Sequence, residues 1–242
     1  MTTESTPTFT SETDVDLGDN AMLVKYWMSK HFITVKETDL VTKAQLLIRE
    51  HNISHLPVMK DGELIGMVTE RDIRQILIPS ETLKVKNIMT RHPVIIPWDY
   101  TVGEAAGILL KHNISGLPVV DHRGRVTGII TKGDLFKVLV PLTGKEKKGV
   151  QFALQLKNRR GAIKEITDII RENGGRMMSV LTSYSDDPEV YLKVYLRMYG
   201  LERKKLKTLK KKIMEKASIL YVVDHRENTR EIYTDKTAVD PV

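Results

Sequence analysis

The sequence predicts an α+β chain in two parts: a duplicated unit of about 60 residues, then a βαββαβ sandwich. Three observations predict it. "HNISHLPV" (51–58) returns as "HNISGLPV" (112–119), with seven of eight letters agreeing at an offset of 61. The match extends outward, pairing Val24 with Val85, Met28 with Met89 and Ala44 with Ala105, and then, at an offset of 62, Gly66 with Gly128, Thr69 with Thr131 and Asp72 with Asp134. From about residue 148 the repeat gives way to alternating apolar strands and two helical patterns.

Residues 1–20 carry five acids, no Lys or Arg and no apolar run, the composition of a disordered tail and not of a secretory signal. The repeats are expected at 21–80 and 81–142. In each, Val41, Ala44, Leu47 and Ile48, or Val102, Ala105 and Leu109, recur at helical spacing. Short apolar runs follow, Leu56–Met59 and Leu64–Val68 around "KDGE", Leu117–Val120 and Val126–Ile130 around "DHRG", each a hairpin signal. A second helix then buries Ile73, Ile76 and Leu77, or Leu135, Val138 and Leu139, and Pro79 and Pro141 are expected to stop it for want of an N–H. The unit reads strand, helix, strand, strand, helix. A core of that size is marginal alone, so two units should pack side by side and leave two equivalent clefts.

The second part is expected over 148–225, with an irregular tail at 226–242. "VQFALQLK" (150–157) alternates, and "NRRG" turns the chain into a helix bearing Ile163, Ile166, Ile169 and Ile170, closed by Gly174-Gly175. Met177–Tyr184 reads as a strand, "SDDPE" as a turn and "VYLKVYLRMY" as a long alternating strand whose segment 190–198 is expected at an exposed edge. A helix burying Leu206, Leu209, Ile213 and Ala217 and the strand "ILYVV" (219–223) complete a ferredoxin-like order.

Composition narrows the chemistry. Cysteine is absent, which excludes disulfides, thiolate zinc and a cysteine nucleophile. The net charge of 38 − 31 = +7 invites a nucleic-acid reading, but residues 202–216 hold eight Lys/Arg against two Glu, so the basicity sits on one helix face. One face of the long strand is aromatic and basic (Tyr191, Lys193, Tyr195, Arg197, Tyr199), yet it lacks the glycine-bearing RNA-recognition pattern, and the facing strand offers no aromatic. Nucleic acid is therefore not the favoured partner. His51 and His55 flank a helix end instead of sharing a helical face, so no metal site is expected. No apolar stretch approaches the roughly 20 residues that span a bilayer, which leads to the expectation of a cytoplasmic protein with no membrane partner.

Both repeats carry G-x-x-T-x-x-D before a helix, "GMVTERD" (66–72) and "GIITKGD" (128–134). Thr at an N-cap with an acid three residues on is a capping box, which a helix uses for its own sake. The same groups suit a nucleotide: a carboxylate can accept both ribose hydroxyls, and a threonine hydroxyl with first-turn N–H groups suits a phosphate. The pattern alone leaves both readings open.

Residues 24–140, with h-P-V strands ("LPVM", "LPVV"), glycine-containing hairpins and G-h-h-T-x-x-D in order and twice, resemble a tandem pair of CBS domains, a Bateman module. The resemblance implies clefts that bind AMP, ADP, ATP, S-adenosylmethionine or NAD as regulatory ligands and not as catalytic cofactors. It makes Asp72 and Asp134 ribose ligands and places Thr69, Thr131, Arg71 and Lys132 beside phosphates. It lines adenine with Ile33, Thr34, Val94 and Ile95, with Leu56 and Leu117 nearby. The residue before L-P-V is basic in one copy, His55, but Gly116 in the other, so unequal sites are expected. The second part resembles an ACT domain, a fold that binds amino acids at dimer interfaces; "KNRRGAI" (157–163) makes Asn158 and Gly161 its effector-side residues, with Gly161 letting a ligand approach. The whole order is similar to the acetoin-utilization family of the AcuB type, "TKGDLFKVLVPLTG" and "VLTSYSDDPEVYLKVYLR" being the stretches that suggest it. No nucleophile–base pair, P-loop or dinucleotide fingerprint is present, so the expectation is a non-catalytic, homodimeric or higher sensor of adenine nucleotide acting on a regulated protein. The alternative is an amino-acid sensor that uses the CBS pair as scaffold.

Overall fold

The computed structural model describes residues 22–76, 82–145, 147–184 and 190–233. The tail at 1–20, Leu77, Pro79 and the "SDDPE" turn lie outside the described residues. The chain forms two compact units that divide between Val138 and Leu139.

The first unit holds the two repeats. In chain order it contains α1 (Val24–Trp27), β1 (Val35–Lys36), α2 (Val41–Glu50), β2 (His55–Lys60), β3 (Glu63–Thr69), α3 (Glu70–Arg74), β4 (Thr90–Arg91), β5 (Ile96–Pro97), α4 (Val102–Lys111), β6 (Gly116–Val120) and β7 (Val126–Thr131), and it ends within α5 (Lys132–Leu142). The repeated phrase has a local cause. Asn52 and Asn113 take left-handed conformations (φ 50 and 51), and Ile53 and Ile114 donate back to Ile48 and Leu109. That is a Schellman ending, for which asparagine is the usual substitute for glycine. It aims the chain into β2 and β6, which pair antiparallel with β3 and β7.

The sheets do not follow the repeat boundaries. β1-β2-β3-β4 forms one sheet and β5-β6-β7 the other, so β4, at the head of the second repeat, closes the sheet of the first. Reciprocally, Ser29 from the head of the first repeat bridges Ile129 in the second. The amides of Val24 and Val85 donate to Tyr100 and Asp39 carbonyls, and those of Lys25 and Lys86 to Trp98 and Glu37. These are the same bonds written twice across an exchange of leading segments. The cores record it: Val24 and Met28 pack with Ile96, Leu109 and Leu117, whereas Val85 and Met89 pack with Val35, Ile48 and Leu56. Gly66 and Gly128 make room, since a Cβ on either would lie 2.8 Å from Met89 Sδ or 2.6 Å from Met28 Sδ. Pro141 does not stop its helix but lies inside α5, one residue before its end. In a last turn proline forfeits only one backbone bond. Leu139 is 47% exposed and belongs to no core.

The second unit contains β8 (Val150–Lys157), α6 (Ala162–Glu172), β9 (Arg176–Tyr184), β10 (Tyr191–Tyr199), α7 (Leu206–Met214), β11 (Ser218–Asp224) and β12 (Thr229–Ile232). The antiparallel sheet runs β12-β11-β8-β10-β9. Its core joins Phe152, Leu154, Leu196 and Met198 of the sheet to Ile166, Ile170, Leu209 and Ile213 of the helices. Two expectations are corrected. The strand 190–198 is no edge, because β10 is paired on both sides, by β8 and β9. The tail beyond residue 225 is not irregular throughout: Thr229–Ile232 add a fifth strand to β11. All four of its residues are exposed, so backbone pairing and not an apolar face makes the strand, and hydrophobic alternation could not reveal it.

The exchange predicts a sensitive position. In Gly128→Ala the new methyl would meet the Ser29 carbonyl at 2.8 Å as well as Met28. A backbone oxygen cannot rotate away, so the expected cost is about 1–3 kcal/mol, read as a lowered melting temperature that Met28→Ala does not restore.

Candidate functional site

The G-x-x-T-x-x-D motif spans the junction where a strand runs directly into a helix. Asp72 Oδ2 accepts from the Thr69 amide at 2.8 Å and the Thr69 hydroxyl at 2.7 Å, and Thr69 Oγ1 accepts from the Asp72 amide at 3.3 Å. Thr131 and Asp134 repeat the arrangement at 2.9, 2.7 and 3.3 Å. The capping box is therefore built in both copies, and each cap uses one carboxylate oxygen. The other oxygens differ. Asp134 Oδ1 accepts from Lys137 Nζ at 2.9 Å, whereas no hydrogen bond to Asp72 Oδ1 exists among the described residues.

A cleft of about 490 Å³ opens beside the first cap. Thr69, Arg71 and Asp72 line it from the first repeat, Thr90 from the β4 strand exchanged into that repeat's sheet, and His92 and Val94 from the chain that follows β4. Ser115, Gly116 and Lys132 close it from the second repeat. Apolar surface from Met67, Pro93, Val94 and Pro118 thus stands beside two carboxylates, Asp72 and the Arg74-paired Glu70, two cations and several hydroxyls. His92 holds a left-handed φ of 48 at the rim, a sparsely populated conformation for a side chain of its size.

Of the residues expected from sequence, His55, Thr69, Arg71, Asp72, Val94 and Lys132 share this cleft. Ile33, Thr34, Leu56, Ile95, Leu117, Thr131 and Asp134 do not line it. Leu56 and Leu117 are fully buried in the two cores, on the inward side of strands whose outward neighbours His55 and Gly116 face the cleft. Ile33 packs against the first core, while Thr34 and Ile95 are exposed elsewhere. Thr90, His92, Ser54 and Ser115 were missed by sequence reasoning, though the serines sit inside the repeated phrase itself. In the second unit Asn158 donates its amide to the Val190 carbonyl, and Gly161 caps α6 with φ 83. A Cβ on Gly161 would have no neighbour within 4 Å, so left-handed geometry and not close approach calls for glycine there. Arg197 is buried on the sheet face away from the helices and donates to the Lys147 carbonyl, and Lys147 lies over the Tyr199 ring at 4.8 Å. Among the described residues no three His, Asp or Glu side chains converge as metal ligands, and no helix is long and apolar enough to cross a membrane.

His55 ties the two repeats together. Its Nε2 stands 2.9 Å from Ser115 Oγ, and its ring covers Gly116, where a Cβ would approach within 2.7 Å. Burial holds its imidazole below the ordinary value of 6.5, with the carboxylates of Asp72 and Asp134 opposing the shift. The unfolded chain takes up a proton at this residue near pH 6.5 while the folded chain resists it, so this contribution to stability is whole above that pH and is lost as pH falls below it. A melting temperature that falls between pH 7 and pH 5.5, with a shallower fall in His55→Gln, is the expected measurement.

The CBS domain family matches residues 24–79 and 85–141. The inosine-5′-monophosphate dehydrogenase of Korarchaeum cryptofilum is 35% identical over 125 residues, which are 52% of this chain and 26% of that protein. The chain therefore spans about a quarter of the dehydrogenase's length. Protein MJ1426 of Methanocaldococcus jannaschii is 31% identical over 162 residues, covering 52% of this chain and 96% of that one. Among solved structures, the CBS domain pair of protein MJ0100 in complex with 5′-methylthioadenosine and S-adenosyl-L-methionine aligns with a TM-score of 0.46 and 36% identity over 52% of this chain and 98% of that one. With two family matches in tandem, and nearly the whole of MJ1426 covered, the chain belongs to the CBS-domain proteins and carries its CBS pair at residues 24–141.

Proposed function

We infer that the CBS pair is a non-catalytic sensor that takes an adenosine-containing ligand, AMP, ADP, ATP or S-adenosylmethionine, in the cleft beside Asp72. The observation that carries this reading is the cleft's division of chemistry. A carboxylate with one oxygen left over from its cap can accept ribose hydroxyls in charge-assisted bonds. Arg71 and Lys132 supply positive charge for phosphate, and Val94, Pro93 and Met67 supply apolar surface for a base. Ligand bound here touches both repeats and the exchanged segment at once, so it favours one packing of the pair over another. Following the resemblance of its order to the acetoin-utilization family, the regulated protein is proposed to belong to acetoin or related carbon use in the cytoplasm.

The second unit is proposed as an ACT-like effector or assembly domain. Following the resemblance to ACT domains, an amino-acid ligand near Asn158 and Gly161 is the second reading. A thermal-shift panel separates the two, because a ligand that binds only the native state raises its stability. Adenine nucleotides or S-adenosylmethionine are expected to raise the melting temperature; a rise with amino acids alone would shift the reading to the second unit.

Assembly is proposed to be dimeric or higher. Phe136, Leu139 and Val140, at i, i+3 and i+4 of α5, are 66%, 47% and 46% exposed, an apolar stripe that a second copy would cover. Light scattering at micromolar concentration is expected to give at least twice the chain mass of 27.6 kDa, and Phe136→Glu to lower it. A single-chain mass for the unaltered protein would remove this element.

A further inference from the structure

Duplication of the motif would furnish two ligand sites; the side chains around its two copies do not. We propose that the chain takes one phosphorylated adenosine ligand, at Asp72, and that Thr131 and Asp134 are a helix cap only. The inference rests on the reading of the cleft as an adenosine site and goes beyond it in assigning stoichiometry and the phosphate-reading residue.

Three observations carry it. Asp134 has both oxygens engaged, one by its cap and one by Lys137, and it is 4% exposed. A ribose would have to displace the lysine and reach a carboxylate already withdrawn from solvent. The residue three beyond Asp72 is Gln75, which brings no charge, and Asp72 keeps one oxygen without a hydrogen bond among the described residues. Second, the cations of the two motifs stand at different positions. Arg71 lines the cleft, and its counterpart in the second repeat is Gly133. Lys132 from the second motif also lines the Asp72 cleft, where its counterpart Glu70 is paired with Arg74, so a cation from each motif is available to one ligand there. Third, Lys132 lines the Asp72 cleft although its motif partners Thr131 and Asp134 do not, so the second motif's cation is turned away from its own cap.

Calorimetric titration of AMP into the full chain tests this. One equivalent per chain is expected. Asp72→Asn, whose amide oxygen can still cap α3, should weaken AMP roughly ten- to a hundredfold, the range for a lost charged hydrogen bond. Arg71→Gly should weaken AMP more than adenosine. Asp134→Asn should lower the melting temperature and leave AMP affinity within about twofold. Two equivalents per chain, or an equal loss of affinity in Asp134→Asn, would overturn the proposal while leaving the adenosine reading intact. An unaltered chain that binds none of AMP, adenosine and S-adenosylmethionine would overturn both. Stoichiometry of the unaltered chain decides the matter even if a variant fails to fold.

Discussion

The first unit depends on the packing of one methionine across each glycine. Met28 lies on Gly128 and Met89 on Gly66, so each repeat completes its neighbour's sheet and core with its own leading segment. A repeat of about 60 residues has little core to itself. Exchange removes the choice of standing alone, because separating the repeats would strip Val24 and Met28 from one core and Val85 and Met89 from the other. At about 1.5–3 kcal/mol for each large apolar side chain brought out of burial, the association outweighs any single polar contact in the unit. The exchange also fixes the cleft. Thr90, His92 and Val94 stand opposite Thr69 and Asp72 because β4 pairs with β3.

The cap and the cleft draw on one carboxylate. An aspartate three residues after an N-cap threonine has two oxygens, and the capping box needs only one of them. The motif therefore positions a charged acceptor rigidly, its rotamer fixed by two hydrogen bonds, with the second oxygen aimed by the first. What becomes of that oxygen depends on neighbours outside the motif. A lysine one turn on consumes it in the second repeat, and a glutamine at the same place leaves it available in the first. Structural and ligand-binding readings of the motif do not exclude each other; they are divided between the oxygens.

Much of this was legible in the sequence. The repeat, both hairpins, the Asn-Ile-Ser turn and the cap at Asp72 follow from local rules that act within a few residues. Copy-to-copy matching states which residues are equivalent but not which copy they pack into, so the exchange was invisible; Val94 lines the Asp72 cleft while its equivalent Ile33 packs against the first core. Leu56 and Leu117 adjoin cleft residues in sequence, but alternation along a strand turns them into the cores. In the second unit the position of β10 between β8 and β9 is a matter of topology, for which alternation within one strand carries no signal. β12 escaped for the opposite reason, having pairing and no pattern.

The departure of His55 from Gly116 has a steric origin in the duplication itself. The two residues are equivalent in the repeats, yet they lie against each other where the repeats face, with a Cβ at 116 only 2.7 Å from the His55 ring. Residues related by an approximate twofold and lying next to its axis compete for the same space. Two histidines there would collide, and two glycines would leave a void, which a packed interior does not tolerate well. One large and one absent side chain fills the space once. The pair therefore cannot be symmetric at its centre. His55 pairs across β2 and β3 with Thr69, so the ring belongs to the wall of the Asp72 cleft, and its bond to Ser115 carries that wall into the second repeat. One ring at the axis, Arg71 against Gly133 and Lys137 against Gln75 together make the surroundings of the two caps unequal.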